Sequence, residues 1–345
     1  MKKRLKFLFR AAVTFITVGA LITVIGLLLG GAGELSKEVT ELVHVIRLSV
    51  SRTVERIPML ERVANINGFS FELAVDKDEV SLKINEGYET IDGDYIDLKL
   101  AEVSEVENLD ISILYGKCSI LPSANGFYGI ESIGAEKFQC FVEDKTLYLN
   151  GFAKDLGSAE PDAEIILYVP EDVYYTKVFL FCSGKETDVE IPLSGDEINV
   201  SAICGDNKFQ DELCFETALL TVGIGNLSVE GITAEQLKME VSTATVDVDK
   251  MQVENLEANL GMGSLSVEGI TTGDVLLNCG MGNLAMVLED KQEAYNYDIS
   301  GSAESVQIGT DVLAGMVMER WIDNGADKKI TISCSMGSIK IEFEQ

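Results

Sequence analysis

The sequence predicts an all-β protein, a solenoid-like stack of β-rungs about 19 residues long or its two-sheet sandwich variant, behind an N-terminal transmembrane helix and a juxtamembrane helix. Three observations carry that expectation. A segment patterned as Leu220-x-Val222-x-Ile224-Gly225-x-Leu227-x-Val229 recurs at a fixed step of 19, with lines ending at Val246-Val248, Leu265-Val267 and Leu284-Met286. From Asn65 onward apolar residues alternate with polar or small ones at a period of two. Before that, residues 11–33 form an uncharged apolar run.

The run 11–33 is long enough for a helix to cross a hydrocarbon core of roughly 30 Å. Lys2, Lys3, Arg4, Lys6 and Arg10 all precede it, and charges after it are mixed. The positive-inside rule therefore places the N-terminus in the cytoplasm and the rest of the chain outside a single-pass cell-membrane anchor. The competing reading is a cleaved signal peptide ending at Gly31-Ala32-Gly33, but its apolar region would exceed the usual ~7–15 residues. Both readings export the body. Residues 34–64 then form an amphipathic juxtamembrane helix. Leu35, Val39, Leu42, Val43, Ile46, Val50, Val54 and Ile57 recur at steps of three and four, and Pro58 ends the pattern.

Residues 65–217 form an N-terminal β region of irregular rungs. Phe69 to Val75 and Val80 to Ile84 read as a hairpin around Asp76-Lys77-Asp78-Glu79, and Asp92-Gly93-Asp94 marks a further turn. Strands follow at Leu109–Leu114, Phe138–Val142, Leu147–Leu149 and Ile165–Val169. Residues 218–345 form the regular repeat. Its expected inward columns are Ala218, Leu220, Val222, Ile224; Leu237, Met239, Val241, Thr243; Leu256, Ala258, Leu260, Met262; and Val275, Leu277, Cys279, Met281. Gly225, Gly263, Gly282 and Gly337, with Ala244 as the exception, mark a bend where a Cβ is crowded or φ is positive. An irregular rung begins at Tyr295, and residues 330–343 are expected to close the array with a short charged edge at Phe343-Glu344-Gln345 that limits end-to-end association.

Composition narrows the function classes. The whole chain of 345 residues carries a net charge of −30, and because the five leading cations precede the first acid, Glu34, residues 34–345 carry −35. Charge attraction to nucleic acid or anionic lipid is excluded. The one histidine, His44, falls in the juxtamembrane helix, so no Ser/His or Cys/His pair can be assembled on the β body. No catalytic residue is assigned, and no enzymatic activity or cofactor is expected. Gly223-Ile224-Gly225, Gly261-Met262-Gly263 and Gly280-Met281-Gly282 imitate the start of a dinucleotide fingerprint, yet each leads into strand alternation instead of a helix N-terminus. Cys279-x-Met281 and Cys334-x-Met336 offer soft ligands suited to Cu(I), but with both residues of each pair read as inward they are core hydrophobes. Seven cysteines, an odd number, are expected to remain unpaired where they sit in apolar columns.

One weak candidate cation site remains. Glu230, Asp249 and Glu268 share an outward column on successive rungs, about 5 Å apart if the strands stack in register. Clustered carboxylates suit a hard cation such as Ca²⁺, and a pair at that spacing is also the geometry of a retaining glycosidase, but a solvated acidic face has the same pattern. For adhesion to polysaccharide or protein, Tyr174, Tyr175, Tyr295, Tyr297 and Trp321 are the aromatic candidates.

The strands at Leu109-Asp110-Ile111-Ser112-Ile113, Thr146–Leu149 and Ile166–Pro170, the Gly-Asn/Ser-Leu-x-Val repeats, and the ending Ile322-Asp323-Asn324-Gly325-Ala326-Asp327 to Cys334-x-Met336-Gly337-Ser338-Ile339 together resemble the bacterial β-strand-repeat "putative adhesin" family, a domain of unknown function. That family is similar to LiaG-type proteins of Gram-positive envelope-stress operons. The resemblance spans residues 105–343. It implies an extracytoplasmic β-stack following a membrane span, partnered by the lipid bilayer through residues 11–33 and by envelope protein or polysaccharide, with no assigned catalytic residues.

Overall fold

Alternating apolar and polar residues leave backbone donors and acceptors to be paired between strands, and strands dominate the described chain. The computed structural model describes residues 73–76, 79–82, 88–91, 93–113, 116–134, 137–152, 163–301, 305–313 and 318–344. The expected membrane run 11–33, the helix 34–64 and His44 lie outside the described residues. No helix among the described residues is long and apolar enough to cross a membrane. The chain divides into two units, Met1–Tyr88 with Ala153–Ala159, and Glu89–Phe152 with Glu160–Gln345.

In the first unit, β1 (Leu73–Asp76) and β2 (Glu79–Leu82) pair antiparallel, with Asp76 opposite Glu79, as the hairpin expected there requires. The second unit begins with β3 (Tyr95–Glu102), β4 (Asn108–Ile113), β5 (Lys117–Pro122), β6 (Phe127–Ile133), β7 (Lys137–Glu143) and β8 (Thr146–Phe152). It continues with β9 (Glu164–Val169), β10 (Tyr174–Cys182), β11 (Glu186–Val189), β12 (Leu193–Ala202), β13 (Asp206–Val222) and β14 (Asn226–Val241). Next come β15 (Thr245–Leu260), β16 (Ser264–Thr271), β17 (Val275–Cys279), β18 (Asn283–Leu288), β19 (Tyr295–Gly301) and β20 (Ser305–Ile308). The last four are β21 (Asp311–Leu313), β22 (Met318–Ile322), β23 (Lys328–Cys334) and β24 (Ser338–Phe343).

Each rung contributes one segment to each of two parallel stacks. One stack runs β8, β4, β10, β12, then the C-terminal parts of β13, β14 and β15, then β17, β23 and β19. The other runs β9, β5, β11, the N-terminal parts of β13, β14 and β15, then β16, β18, β24 and β20. In-register pairing places Val222, Val241, Leu260, Cys279 and Cys334 in one buried column of the first stack. Leu227, Val246, Leu265, Leu284 and Ile339 form a buried column of the second. Stacked apolar columns of this kind bury on each rung a face that no rung can bury alone.

The corner between the stacks departs from simple alternation. Burial falls at Val241, Ala244 and Val246, at Cys279, Gly282 and Leu284, and at Cys334, Gly337 and Ile339, so the chain takes three steps between inward residues at the bend and two on either side of it. The fourth member of each expected inward set is therefore turned out. Ile224 is 43% exposed, Met262 53%, Met281 53% and Met336 60%, and Thr243 is exposed too. Ala244, Gly282 and Gly337 take the inward place at the bend, and Gly225 and Gly263 are half-buried there. A Cβ on Gly263 would stand 1.9 Å from the Ala244 carbonyl oxygen, and one on Gly282 2.4 Å from that of Gly263, without either having a positive φ. Only Gly225 in that column adds a left-handed φ of 110°.

The end of the array also differs from expectation. β23–β24 do not close it; they insert between β17–β18 and β19–β20. Residues 289–294 carry the chain past one rung position, and the segment Cys334-x-x-Gly337, which repeats the corner spacing of Cys279-x-x-Gly282, fills it. The buried Tyr295 hydroxyl hydrogen-bonds with Thr271 Oγ1 at 2.8 Å, and Lys328 donates to Asp290 Oδ2 at 2.5 Å and Tyr295 Oη at 3.1 Å while lying 4.2 Å above the Tyr295 ring. Antiparallel β22 on β19 and β21 on β20 finish that end, and β7 on β8 and β6 on β9 finish the other. Parallel edges that would template another chain are covered by strands, so the charged C-terminal residues are not the edge device.

Candidate functional site

The acidic column is built on the outer face of the second stack. Val229, Val248 and Val267 pair in register, but the β15–β16 ladder breaks at the next position, so Glu230 and Asp249 line one depression and Glu268 does not join them there. Register then shifts between Val248 and Met251, and Lys250 takes a φ of 48°. This bulge brings an ammonium into the carboxylate row: Lys250 Nζ lies 2.8 Å from Glu230 Oε1. Glu230 is thus held by a cation of its own rung system, and the pair raises the Lys250 pKa through that hydrogen bond and its Coulombic attraction. Lys208, Phe209, Gln210, Ser228, Glu230, Asp249 and Lys250 line an open depression of about 410 Å³ here. Among the described residues no group of three or more His, Cys, Asp or Glu is placed to hold a metal ion. Sequence spacing revealed the carboxylates but not Lys250, because a bulge changes which face a residue takes without any change of composition.

The aromatic candidates separate. Tyr175, Tyr295 and Tyr297 are buried at 1%, 0% and 0% exposure, and Tyr175 shares a 2.9 Å hydroxyl contact with buried Tyr128. Tyr174 and Trp321 remain exposed at 61% and 58%. Tyr174 donates to Asp196 Oδ1 at 2.6 Å, and that hydrogen bond, with smaller contributions from burial and neighbouring acids, pushes its pKa up to about 12. The five residues form no common platform, because period two places Tyr174 and Tyr175 on opposite faces of β10 and turns both Tyr295 and Tyr297 inward.

The two cysteines expected in the core are there. Cys279 and Cys334 are direct neighbours on β17 and β23, buried and unpaired, and Cys279 Sγ donates to the Gly282 carbonyl at 3.2 Å. Contact with the Cys334 thiol, together with burial, pushes the Cys279 pKa up. Their partners in the Cys-x-Met pairs point the other way. Met281 and Met336 stand on the outer corner, so each pair straddles the sheet and cannot act as one bidentate site.

One acid is buried without any sign of it in the strand pattern around it. Asp110 is 4% exposed on β4, in register between Tyr148 of β8 and Phe179 of β10, and its Oδ1 has no hydrogen-bond partner among the described residues. Burial raises its pKa to about 6, against the opposing pull of Lys177. In the sequence it occupies the polar phase of an ordinary alternation, which is why nothing marked it.

A family model described as Toastrack DUF4097 matches residues 136–342. No curated protein matches the chain. Among solved structures, one described as a "putative adhesin" from Bacteroides fragilis NCTC 9343 aligns with a TM-score of 0.48 at 16% identity, covering 73% of this chain and 97% of that one. A "putative lipid binding protein" from Parabacteroides distasonis ATCC 8503 aligns with a TM-score of 0.40 at 13% identity, covering 76% and 98%. A "putative cell adhesion protein" from Clostridium sporogenes ATCC 15579 aligns with a TM-score of 0.22 at 15% identity, covering 73% and 100%.

Proposed function

Because the chain belongs to the Toastrack DUF4097 family, we propose that it is a membrane-anchored, extracytoplasmic β-repeat protein that acts by surface contact, as a non-enzymatic envelope interaction or accessory signalling component. The observation that carries this reading is the cation cluster Lys2 to Arg10 followed by the uncharged run 11–33, ahead of a strand stack whose interior is filled with apolar columns. Such a body presents long, regular, acidic outer faces, and the recognition chemistry lies in those faces. Contact with a protein or polysaccharide of the envelope fits exposed Trp321 and Tyr174 as separate anchors. Against a glycosidase stands the Lys250 ammonium, 2.8 Å from Glu230 Oε1, which occupies one carboxylate of the expected pair.

The test is topological. A tag after Gln345 is expected to be cleaved by protease added to intact cells, while a tag before Met1 is protected. Protection of the C-terminal tag in osmotically intact cells would overturn the exported arrangement. The non-enzymatic part is tested with Glu230→Gln and Glu268→Gln in a screen of cell-wall glycans. Hydrolysis by the unaltered chain that both substitutions abolish would replace it with an enzyme.

A further inference from the structure

The outer corner carries a chemistry that neither the family nor the surface-contact reading absorbs. Cys279 pairs with Leu260 on one side and with Cys334 on the other, so two residues further along Met281 lies between Met262 and Met336 on three consecutive rungs. Backbone bonds hold the alignment through the bend: Met262 N donates to Ser242 O at 2.8 Å, Met281 N to Gly261 O at 2.8 Å and Met336 N to Gly280 O at 2.8 Å. All three side chains are more than half exposed. Each keeps nearly half of its surface against the corner, as Ile224 does at the equivalent place, so the corner needs an apolar stem there but does not require a thioether.

We propose that Met262, Met281 and Met336 form a trigonal thioether site for a soft monovalent cation, Cu(I) or Ag(I). Neighbouring strands are about 4.8 Å apart, so an ion over Met281 lies about one strand spacing from the outer two rungs. With metal–sulfur bonds of about 2.3 Å, each outer sulfur must lean roughly 2.5 Å along the stack. An unbranched side chain with three rotatable bonds spans that easily. Thioethers are soft, neutral ligands that favour Cu(I) over Ca²⁺, Mg²⁺ or Zn²⁺. The −35 charge of residues 34–345 favours a cation, and the ridge needs no deprotonation to bind one. The buried thiols of Cys279 and Cys334 lie on the opposite face of the same strands and take no part.

That last point makes the site distinguishable from a thiol, carboxylate or imidazole site. Full-length protein in which Cys140, Cys204 and Cys214, the thiols that solvent can reach, are replaced by serine is titrated in detergent with Ag(I), and with Cu(I) under anaerobic conditions against a chromogenic Cu(I) chelator, at pH 5.5 and pH 7.5. One ion per chain is expected, with the same affinity at both pH values because no ligand loses a proton. Met262→Leu, Met281→Leu and Met336→Leu should each weaken binding by more than the roughly tenfold that loss of an outer-sphere partner causes, and the triple variant should abolish it. Leucine conserves volume at these exposed positions, and an unchanged melting temperature confirms that the fold is intact. Cys279→Ser with Cys334→Ser should leave the affinity unchanged. Failure to compete with the chelator, an affinity that rises steeply with pH, retention by the triple leucine variant, or loss in the cysteine variant would each overturn the proposal. None of these outcomes depends on which side of the membrane the body occupies.

Discussion

Asp110→Asn should stabilise the protein at neutral pH, and the gain should vanish in acid. The carboxyl is 4% exposed and flanked in register by Tyr148 and Phe179, so ionising it means placing a charge among aromatic neighbours with one oxygen unpartnered. Its pKa is raised by that burial from 3.8 to about 6, partly offset by Lys177. A carboxyl whose folded pKa lies above its unfolded value binds its proton more tightly in the native state. Between about pH 4 and pH 6 the unfolded chain therefore carries fewer protons, and stability declines as pH rises through that window. At about 1.36 kcal/mol per pKa unit the full penalty above pH 6 is about 3 kcal/mol. Asparagine keeps the shape and removes the charge. Urea unfolding of both proteins, followed by circular dichroism at several pH values from 3.5 to 7.5, should show curves that coincide below about pH 4 and separate by up to about 3 kcal/mol above pH 6. A gap that is independent of pH, or a wild type that is the more stable at pH 7, would refute the account of Asp110 as a desolvated acid.

Two further outcomes follow from the corner and the core. Gly263→Ala places a Cβ 1.9 Å from a backbone carbonyl of the rung below and should lower stability by about 1–3 kcal/mol, whereas Gly231→Ala, whose nearest atom stands at 3.7 Å, should not; equal urea midpoints for the two would mean that crowding does not hold the glycine column. In the native protein a polar thiol reagent should label exposed Cys214 promptly and reach Cys279 and Cys334 only on unfolding; prompt labelling of the latter two would show the inward register of β17 and β23 to be wrong.

The architecture is legible in the residues wherever their pattern is periodic. A step of 19 residues aligned Val222, Val241, Leu260 and Cys279 before any contact was known, since each rung must bury the same face against the next. It also displayed the neighbouring carboxylates Glu230 and Asp249, because residues at equal phase on equal rungs share a face. What it could not reveal is where the period breaks. The bends between the two stacks turn Ile224, Thr243, Met262, Met281 and Met336 outward, and depend on crowding by the preceding rung's carbonyl oxygens. The bulge at Lys250 that places an ammonium beside Glu230 arises from a register shift against β16. The insertion of β23–β24 ahead of β19–β20 is a competition between strands far apart in the chain for one pairing position. Burial of Asp110 likewise comes from neighbouring strands, and local alternation carries no trace of it. Pattern follows from the face each residue presents along its own strand; bends, bulges and rung order follow from which other strand lies beside it, a choice made by packing between segments far apart in the chain.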